Sequence, residues 1–166
     1  MTERAQLPRL AAGLLALSML AGCGGNPGSQ ADRAAQTTAA RQPAELVQGD
    51  VRISASIAPA ASLNPVIAER YGVRPDRGAQ LLLVGVRQGP VHDETSVQAQ
   101  VAVRARDLRG VWQDVAMREV RSDGFIDYVG SVRVSPPDTL AFEITVRRPG
   151  AEAPETLRFS RDVLPL

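Results

Sequence analysis

The sequence has no lysine, one cysteine, one histidine and only 4% aromatic residues. All 19 basic residues are arginines. Together with the many Ala and Val residues, this indicates the codon bias of a GC-rich genome rather than selection for a polyanionic partner. A single cysteine excludes an internal disulfide and a zinc site built on several cysteines. If its thiol is consumed by modification, a cysteine nucleophile is excluded as well.

Long hydrophobic runs are also missing, apart from eleven residues near the start, Leu10 to Leu20. Arg4 and Arg9 precede this run and small residues follow it, which is the layout of a secretory signal. As a helix it would span roughly 16 Å, about half of a ~30 Å hydrocarbon core. The run therefore predicts a cleaved signal rather than a transmembrane anchor.

The four residues Leu20-Ala21-Gly22-Cys23 at the end of this run resemble the bacterial lipobox. The resemblance implies cleavage between Gly22 and Cys23, a diacylglyceryl group on the Cys23 sulfur and acylation of the new amino terminus. Gly24 rather than Asp follows the cysteine, which favours the outer over the inner membrane. The alternative is an ordinary signal peptide with an accidental cysteine.

These features predict a signal peptide at 1–22, a lipidated cysteine with a flexible tether at 23–45, and one folded domain at 46–166. Residues 24–45 contain no aromatic or large aliphatic side chain, so they cannot bury enough apolar surface to fold. Removing residues 1–22 leaves 17 Arg and 17 acidic residues, and their charges are interspersed. A nucleic-acid partner is not predicted, because it would need a clustered basic face.

After residue 45 the hydrophobic pattern changes to a period of two, which is typical of half-buried strands. Turn-forming Gly, Pro and Asp residues separate the segments by a few residues, and such short connections favour antiparallel neighbours. We therefore predict an all-β fold, an immunoglobulin-like antiparallel β-sandwich of about seven strands. The segments are 51–57, 80–86, 96–105, 111–120, 125–134, 139–147 and 155–163.

One segment, "SLNPVIAERYG" at 62–72, follows helical rather than strand rules. Asn64 suits an N-cap, Pro65 the first helical position and Gly72 a stop. The pattern predicts a short helix after the first strand, of about two turns. Val66, Ile67 and Tyr71 are expected to close one end of the sandwich.

Four stretches carry a family resemblance: the opening strand at 52–57, "IAERYGVRPDRGAQLLLVGV" at 67–86, "REVRSDGFIDYVG" at 118–130 and "LAFEITV" at 140–146. Through them the chain resembles, from about Leu46 to Val163, a bacterial periplasmic group, domain-of-unknown-function family 4426. The resemblance implies an all-β sandwich and a location in the cell envelope, but no activity. The lipobox and tether differ from the plain signal peptide expected of this family.

The single histidine, His92, lies beside Asp93 and Glu94 in the segment "QGPVHDETS". These three residues form a plausible metal-ligand set, and a Ser-His-Asp triad would need His92 as its base. Consecutive loop residues rarely converge on one ion, however, and no G-x-S-x-G turn presents a serine. We predict a solvated loop, no metal, no cofactor and no enzymatic activity. The strand carboxylates Asp127 and Glu143 are expected to be exposed and to serve solubility.

The most distinctive polar cluster is Tyr71, Arg74, Asp76 and Arg77, which is predicted as a candidate interaction patch. In the alternative interpretation, Asp76 and Arg77 shape the turn into the next strand while Tyr71 plugs the core.

The sequence as a whole favours a non-enzymatic module, anchored to the membrane through its lipid and facing the periplasm, that contacts an unknown envelope protein. The competing hypothesis is an envelope ligand-binding or hydrolytic domain that uses the Tyr71–Arg77 region or His92. A concave pocket with converging polar groups would favour the second hypothesis, whereas an exposed edge or apolar patch would favour the first.

Overall fold

A computed structural model describes residues 42–166 of the chain. The predicted signal peptide, Cys23 and residues 23–41 of the predicted tether lie outside the described residues, so those assignments stay predictions. Within residues 42–166, no helix is long and apolar enough to cross a membrane.

The described residues form ten strands arranged in two antiparallel sheets. The strands are β1 Ala44–Gln48, β2 Val51–Pro59, β3 Ala79–Gln88, β4 Thr95–Ser96, β5 Gln100–Arg106, β6 Trp112–Val115, β7 Arg118–Ser122, β8 Phe125–Arg133, β9 Asp138–Arg147 and β10 Glu155–Val163. The first sheet has the order β1-β2-β3-β8-β7, with β4 pairing β3, and the second has the order β10-β9-β5-β6. The prediction of an all-β antiparallel sandwich is confirmed.

The described strands number ten rather than about seven, partly because two predicted strands cross between the sheets. The segment 111–120 contains β6, which pairs with β5 in the second sheet, and the start of β7, which pairs with β8 in the first. The segment 96–105 likewise begins at the end of β4 and continues as β5. Alternation of apolar residues shows that a segment is extended, but not which sheet it joins.

The remaining extra strand, β1, begins at Ala44, so the last two residues of the predicted tether belong to it. The sequence signal for this strand is weak, because Leu46 and Val47 are its only large aliphatic residues. Pairing with β2 from Ala44↔Ala55 to Gln48↔Val51 makes it the edge strand of the first sheet.

The predicted helix is present as α1, Pro65–Arg70, and follows β2 after a short 3₁₀ turn at Ala60–Ser62. The Asn64 side chain accepts a hydrogen bond from the Val66 backbone N–H at 2.9 Å, as an N-cap does. The helix ends before Gly72, whose φ of 50° is left-handed. One expectation was wrong: Val66 is 63% exposed and does not close the sandwich, and Ala68 is the buried residue of the helix.

The main core lies between the two sheets and consists of the alternating residues that face inward from each strand. Its largest fully buried side chains include Ile53, Leu82, Leu140 and Ile144. Gly130 also faces this core, where an added Cβ would lie 2.5 Å from the Met117 sulfur and 2.7 Å from Val115 Cγ1. Close packing against the crossing segment therefore explains a glycine inside strand β8.

A smaller apolar layer lies on the outer face of the first sheet. The buried residues Ala79, Leu81 and Val129 face away from the main core, since they alternate with inward-facing Leu82 and Tyr128. The connecting segment between β2 and β3, residues 60–78, carries two further buried residues outside the main core, Ala60 and Ala68. This segment thus covers part of the outer face of the first sheet.

Candidate functional site

A cleft of about 340 Å³ opens on the outer face of the first sheet, where the loop after α1 approaches β7 and β8. We call it the arginine cleft. Because side chains alternate between the two faces of a strand, Val129, Ser131 and Arg133 of β8 all face outward into this cleft. The lining residues are Gly72, Val73, Arg74, Asp76, Ala79, Ala116, Arg118, Val129, Gly130, Ser131 and Arg133.

The charge of the arginine cleft is predominantly positive, with Arg74, Arg118 and Arg133 against one acid, Asp76. Both carboxylate oxygens of Asp76 already have partners: Oδ1 accepts from the Gly78 N–H at 2.8 Å and Oδ2 from Arg133 Nη1 at 3.2 Å. Within residues 42–166, the side chains of Arg74 and Arg118 form no hydrogen bond or ion pair with another residue. Two guanidinium groups therefore keep their donors available to a ligand.

The floor of the arginine cleft is apolar. Val129 is 1% exposed and pairs across the strands with Arg118, while Ala79 is 5% exposed and pairs with Arg133. An apolar floor lowers the local dielectric constant, so ionic contacts made above it are stronger than in bulk water. At the opposite side, a Cβ on Gly72 would lie only 2.9 Å from Arg118 Nη2. A glycine at this position thus ends the helix and also leaves room for the arginine.

Beside the cleft, a second polar cluster joins the helix end to the sheet. Asp127 Oδ1 accepts from Arg87 Nη2 at 2.6 Å, and Asp127 Oδ2 accepts from the Tyr71 hydroxyl at 3.3 Å. The Arg87 guanidinium also donates to the Ile126 carbonyl at 2.8 Å and lies 5.2 Å from the Phe125 ring centre. Burial and the Asp127 charge, in that order, raise the pKa of Tyr71.

This cluster corrects the sequence interpretation of Asp127. The side chains of Asp127 and Arg87 are each only 17% exposed, so the carboxylate is a structural partner rather than a solubilising group. It faces outward along β8, as the period of two predicted, but the covering segment shields it from solvent. No sequence pattern shows that a segment 56 residues away supplies the tyrosine.

Three residues of the predicted patch are divided between these two features, and the fourth belongs to neither. Arg74 and Asp76 line the arginine cleft, Tyr71 contacts Asp127, and Arg77 is exposed with no hydrogen bond to the rest of the described chain. Asp76 also shapes the turn through Gly78, as the alternative interpretation expected, whereas Tyr71 lies outside the main core.

Sequence reasoning missed Arg118 and Arg133 as members of the cleft. The alternation of Val129 and Arg133 along one strand face was the available signal for Arg133. Nothing local marked Arg118.

The other sequence candidates lie apart from the cleft. His92 is exposed with φ 84° in the loop between β3 and β4, and the neighbouring Glu94 pairs with Arg52 Nε at 3.0 Å. No group of three His, Cys, Asp or Glu residues that could hold a metal occurs in residues 42–166. Glu143 faces outward on β9, where hydrogen bonds from Arg104 and Arg158 lower its pKa.

A different surface feature lies at the turn between β5 and β6, which we call the hairpin tip, residues 107–112. Three of its side chains are exposed and apolar: Leu108 is 72%, Val111 59% and Trp112 45% exposed. The turn itself is well ordered by Asp107, whose Oδ1 accepts from the Val111 N–H at 2.8 Å. This hydrogen bond is the main cause of the lowered pKa of Asp107.

Arginines hold the indole of the hairpin tip in place. The guanidinium carbons of Arg104 and Arg106 lie 4.5 Å and 5.3 Å from the centre of the Trp112 ring, within cation–π range. Arg104 also donates to Glu143 at 2.6 Å, whereas Arg106 forms no ion pair within the described residues. An ordered tryptophan with an unpaired arginine beside it has the composition of a protein-binding hot spot.

Comparisons with known proteins agree with this fold. No curated protein matches the chain. A crystal structure of a DUF4426 family protein from Pseudomonas aeruginosa PAO1 is 23% identical, with a TM-score of 0.64 over 75% of this chain and 96% of that chain. Structures of FetP from uropathogenic Escherichia coli strain F11 are 9% identical and also cover 75% of this chain. One, expressed recombinantly in the periplasm, has a TM-score of 0.55 over 96% of its length, and a copper-bound variant has 0.54 over 98%.

At these identities the solved structures show a shared fold and nothing more. The model of the domain of unknown function DUF4426 matches residues 46–165, which is nearly all of the described domain. The family resemblance found in the sequence is confirmed: this chain belongs to the DUF4426 family.

Proposed function

We propose that this protein is a lipoprotein of the cell envelope, anchored through Cys23, that acts without catalysis by binding another envelope protein at the hairpin tip. The signal-like start, the Leu20–Cys23 lipobox and the envelope location expected of the family support the anchored, periplasm-facing arrangement. The tether would keep the domain near the membrane and raise its effective concentration there.

One observation carries the binding part of this proposal: three of the exposed large apolar residues lie within five consecutive positions, 108–112. Single exposed apolar residues are common on protein surfaces, but an ordered cluster indicates a contact site. The hairpin tip is held by Asp107 and the two stacked arginines, so binding would require little loss of conformational freedom.

The side chains of the hairpin tip also indicate which groups its partner would present. Leu108, Val111 and Trp112 fit an apolar patch, and Arg106, with no ion pair among the described residues, fits a carboxylate at the edge of that patch. Strand β6 pairs only with β5 among the described strands, so its second edge can accept a strand from the partner.

Crosslinking in living cells tests this proposal. A photoreactive amino acid is placed at position 112 of the full chain, and at position 66 as a matched control, since Val66 is also exposed and apolar but lies on α1. We expect one discrete adduct from position 112, none from position 66, and loss of the adduct when Arg106→Glu is added. Equal adducts at both positions, or none at position 112, would contradict the contact.

The anchor is tested separately with labelled palmitate. We expect the label to enter the wild-type chain and Cys23→Ser to block both labelling and cleavage. Unchanged cleavage in Cys23→Ser, without labelling of the wild type, would identify an ordinary signal peptide instead.

A second candidate function, ligand binding in the envelope, is favoured by the arginine cleft. The hydrolytic form of this alternative has no comparable support, because His92 lies in an exposed loop away from the cleft. The copper in the FetP variant is a property of that protein, and the 9% identity transfers no ligand to this chain.

A further inference from the structure

The arginine cleft carries more positive charge than its own acid can balance. Three guanidinium groups and one carboxylate line it, and that carboxylate is already shared between Arg133 and the Gly78 N–H. The side chains of Arg74 and Arg118 have no hydrogen-bond or ion-pair partner within residues 42–166. The remaining positive charge matches a dianion rather than a monoanion.

Nearby acids do not supply the missing charge. On the same sheet, Glu119 pairs with Arg121 at 2.7 Å and Asp127 pairs with Arg87 at 2.6 Å. At the C-terminal end of α1, Asp123 pairs with Arg70 at 3.6 Å. Glu69 on α1 is exposed and forms no ion pair within residues 42–166, but it does not line the cleft. Asp76 is the only acid in the described lining, so an external anion is the ligand that would balance the two free arginines.

Hydrogen bonds also hold the backbone that lines the cleft. The Arg133 N–H donates to Gln113 Oε1 at 3.3 Å and its carbonyl accepts from Gln113 Nε2 at 3.0 Å, while its side chain is 77% exposed. Asp76 is fixed by the turn at Gly78, and Gly72 leaves space for the Arg118 guanidinium. A cleft of about 340 Å³ with an apolar floor has the size of a small-molecule site.

We propose that the arginine cleft binds a phosphate group, with Arg74 and Arg118 as its principal donors and Arg133 as a third. The planar guanidinium fork donates two parallel hydrogen bonds to a phosphate, and two such forks match a phosphomonoester dianion. The phosphate can belong to a free small molecule or to a lipid headgroup. The site is separate from the hairpin tip, so the test of phosphate binding is independent of the test of the proposed protein contact.

Calorimetric titration of inorganic phosphate into the full chain in detergent, at constant ionic strength, tests the site. We expect saturable binding of one phosphate per chain, weakened about tenfold or more by Arg118→Gln because charge-assisted hydrogen bonds are lost. Arg74→Gln is expected to behave similarly. Arg106→Gln is the matched control, since it removes an exposed, unpaired arginine from the other sheet and is expected to leave phosphate binding unchanged.

Two results would overturn the proposal: no saturable binding of phosphate, or an equal loss in Arg106→Gln, which would show nonspecific charge attraction. Thermal unfolding of each variant checks that the fold is intact. Arg74 and Arg118 are exposed, so their substitution is not expected to change the fold.

Vesicles then separate the two sources of the phosphate. Phosphatidic acid presents a phosphomonoester, whereas phosphatidylglycerol presents only a phosphodiester. Binding of phosphatidic-acid vesicles beyond phosphatidylglycerol vesicles of equal charge, lost in Arg118→Gln, identifies a lipid headgroup. Binding of free phosphate without this vesicle preference identifies a soluble ligand.

Discussion

Both sheets are built from antiparallel strands, but their outer faces differ in how much of each is covered by other segments of the chain. On the first sheet, residues 60–78 cover the outward side chains, so Leu81 and Val129 are buried and the Arg87–Asp127 pair is largely shielded. On the second sheet no described segment covers the face. Its outward Glu143, 22% exposed, pairs with Arg104 and Arg158, which are 50% and 68% exposed. The covering segment, rather than the sheet, creates the cleft.

The same contrast separates the two proposed sites. The arginine cleft is concave and lies where the covering segment meets the first sheet, which suits a small ligand. The hairpin tip exposes three apolar side chains at the end of two strands of the uncovered sheet, which suits a protein surface. The sandwich thus has two chemically different surfaces, and substitutions can alter either one without altering the other.

Truncating a covered side chain is expected to give the largest effect. Leu81→Ala should lower the free energy of unfolding by about 2–5 kcal/mol, since it leaves a cavity beneath the covering segment. Thr145→Ala, on the outer face of the second sheet, should change it by no more than about 0.5 kcal/mol. Urea denaturation measures both. If the two changes are equal, residues 60–78 do not bury the outer face of the first sheet.

Neutralising one carboxylate on each outer face compares how much the ion pairs of the two sheets contribute to stability. Asp127→Asn should cost about 1–3 kcal/mol, because it leaves the mostly buried Arg87 without its counter-charge. Glu143→Gln should change stability far less, because its partners Arg104 and Arg158 are exposed and remain solvated without the carboxylate.

The small contribution of Glu143 should depend on pH. Its pKa is lowered in the folded state, so its contribution is present above the pKa of the unfolded chain and is lost as the pH falls through the folded value. Chemical denaturation at pH 7 and at pH 3 checks both variants. A larger loss for Glu143→Gln than for Asp127→Asn at pH 7 would reverse the comparison.

The smallest effect is expected in the tyrosine titration. The sequence has two tyrosines, and burial raises the pKa of both Tyr71 and Tyr128 above about 10. Asp127→Asn should move the Tyr71 pKa back toward its usual value, because it removes the negative charge beside the hydroxyl. Ultraviolet absorbance between pH 8 and 12, with Tyr71→Phe to assign the signal, measures the shift; an unchanged titration would contradict the hydrogen bond to Asp127.

The sign of the stability effect follows from the raised pKa. A tyrosine that holds its proton more tightly in the folded chain contributes stability below its unfolded pKa, and this contribution is lost as the pH rises through the folded value. The wild-type chain should therefore lose stability above about pH 10, and Asp127→Asn should lose less over the same interval.

The helix and the strands were predictable to the extent that their signals are local. Asn64, Pro65 and Gly72 define α1 because a cap, a fixed φ and a left-handed residue act within one turn. The inward residues of β9 follow from alternation alone. In contrast, the crossing of 111–120 between sheets depends on which neighbours the chain meets, and β4 is too short for any periodicity.

The candidate site was predictable only in part, for the same reason. Arg74 and Asp76 were selected as a polar cluster within one loop. Arg118 and Arg133 come from two other strands and reach the cleft through the register of β7 and β8 with their neighbours. Nothing in the residues beside Arg118 indicates that Gly72, 46 positions earlier, would adjoin its guanidinium.

By itself, the sequence determined the all-β class, the family, the limits of the helix and the faces of most strands, because each of these depends on residues that are neighbours along the chain. Only the tertiary structure decided that residues 60–78 cover one sheet and leave the other open. It also decided that two unpaired arginines share a cleft and that Asp127 is shielded. These outcomes depend on packing between segments far apart in the sequence, which no local pattern encodes.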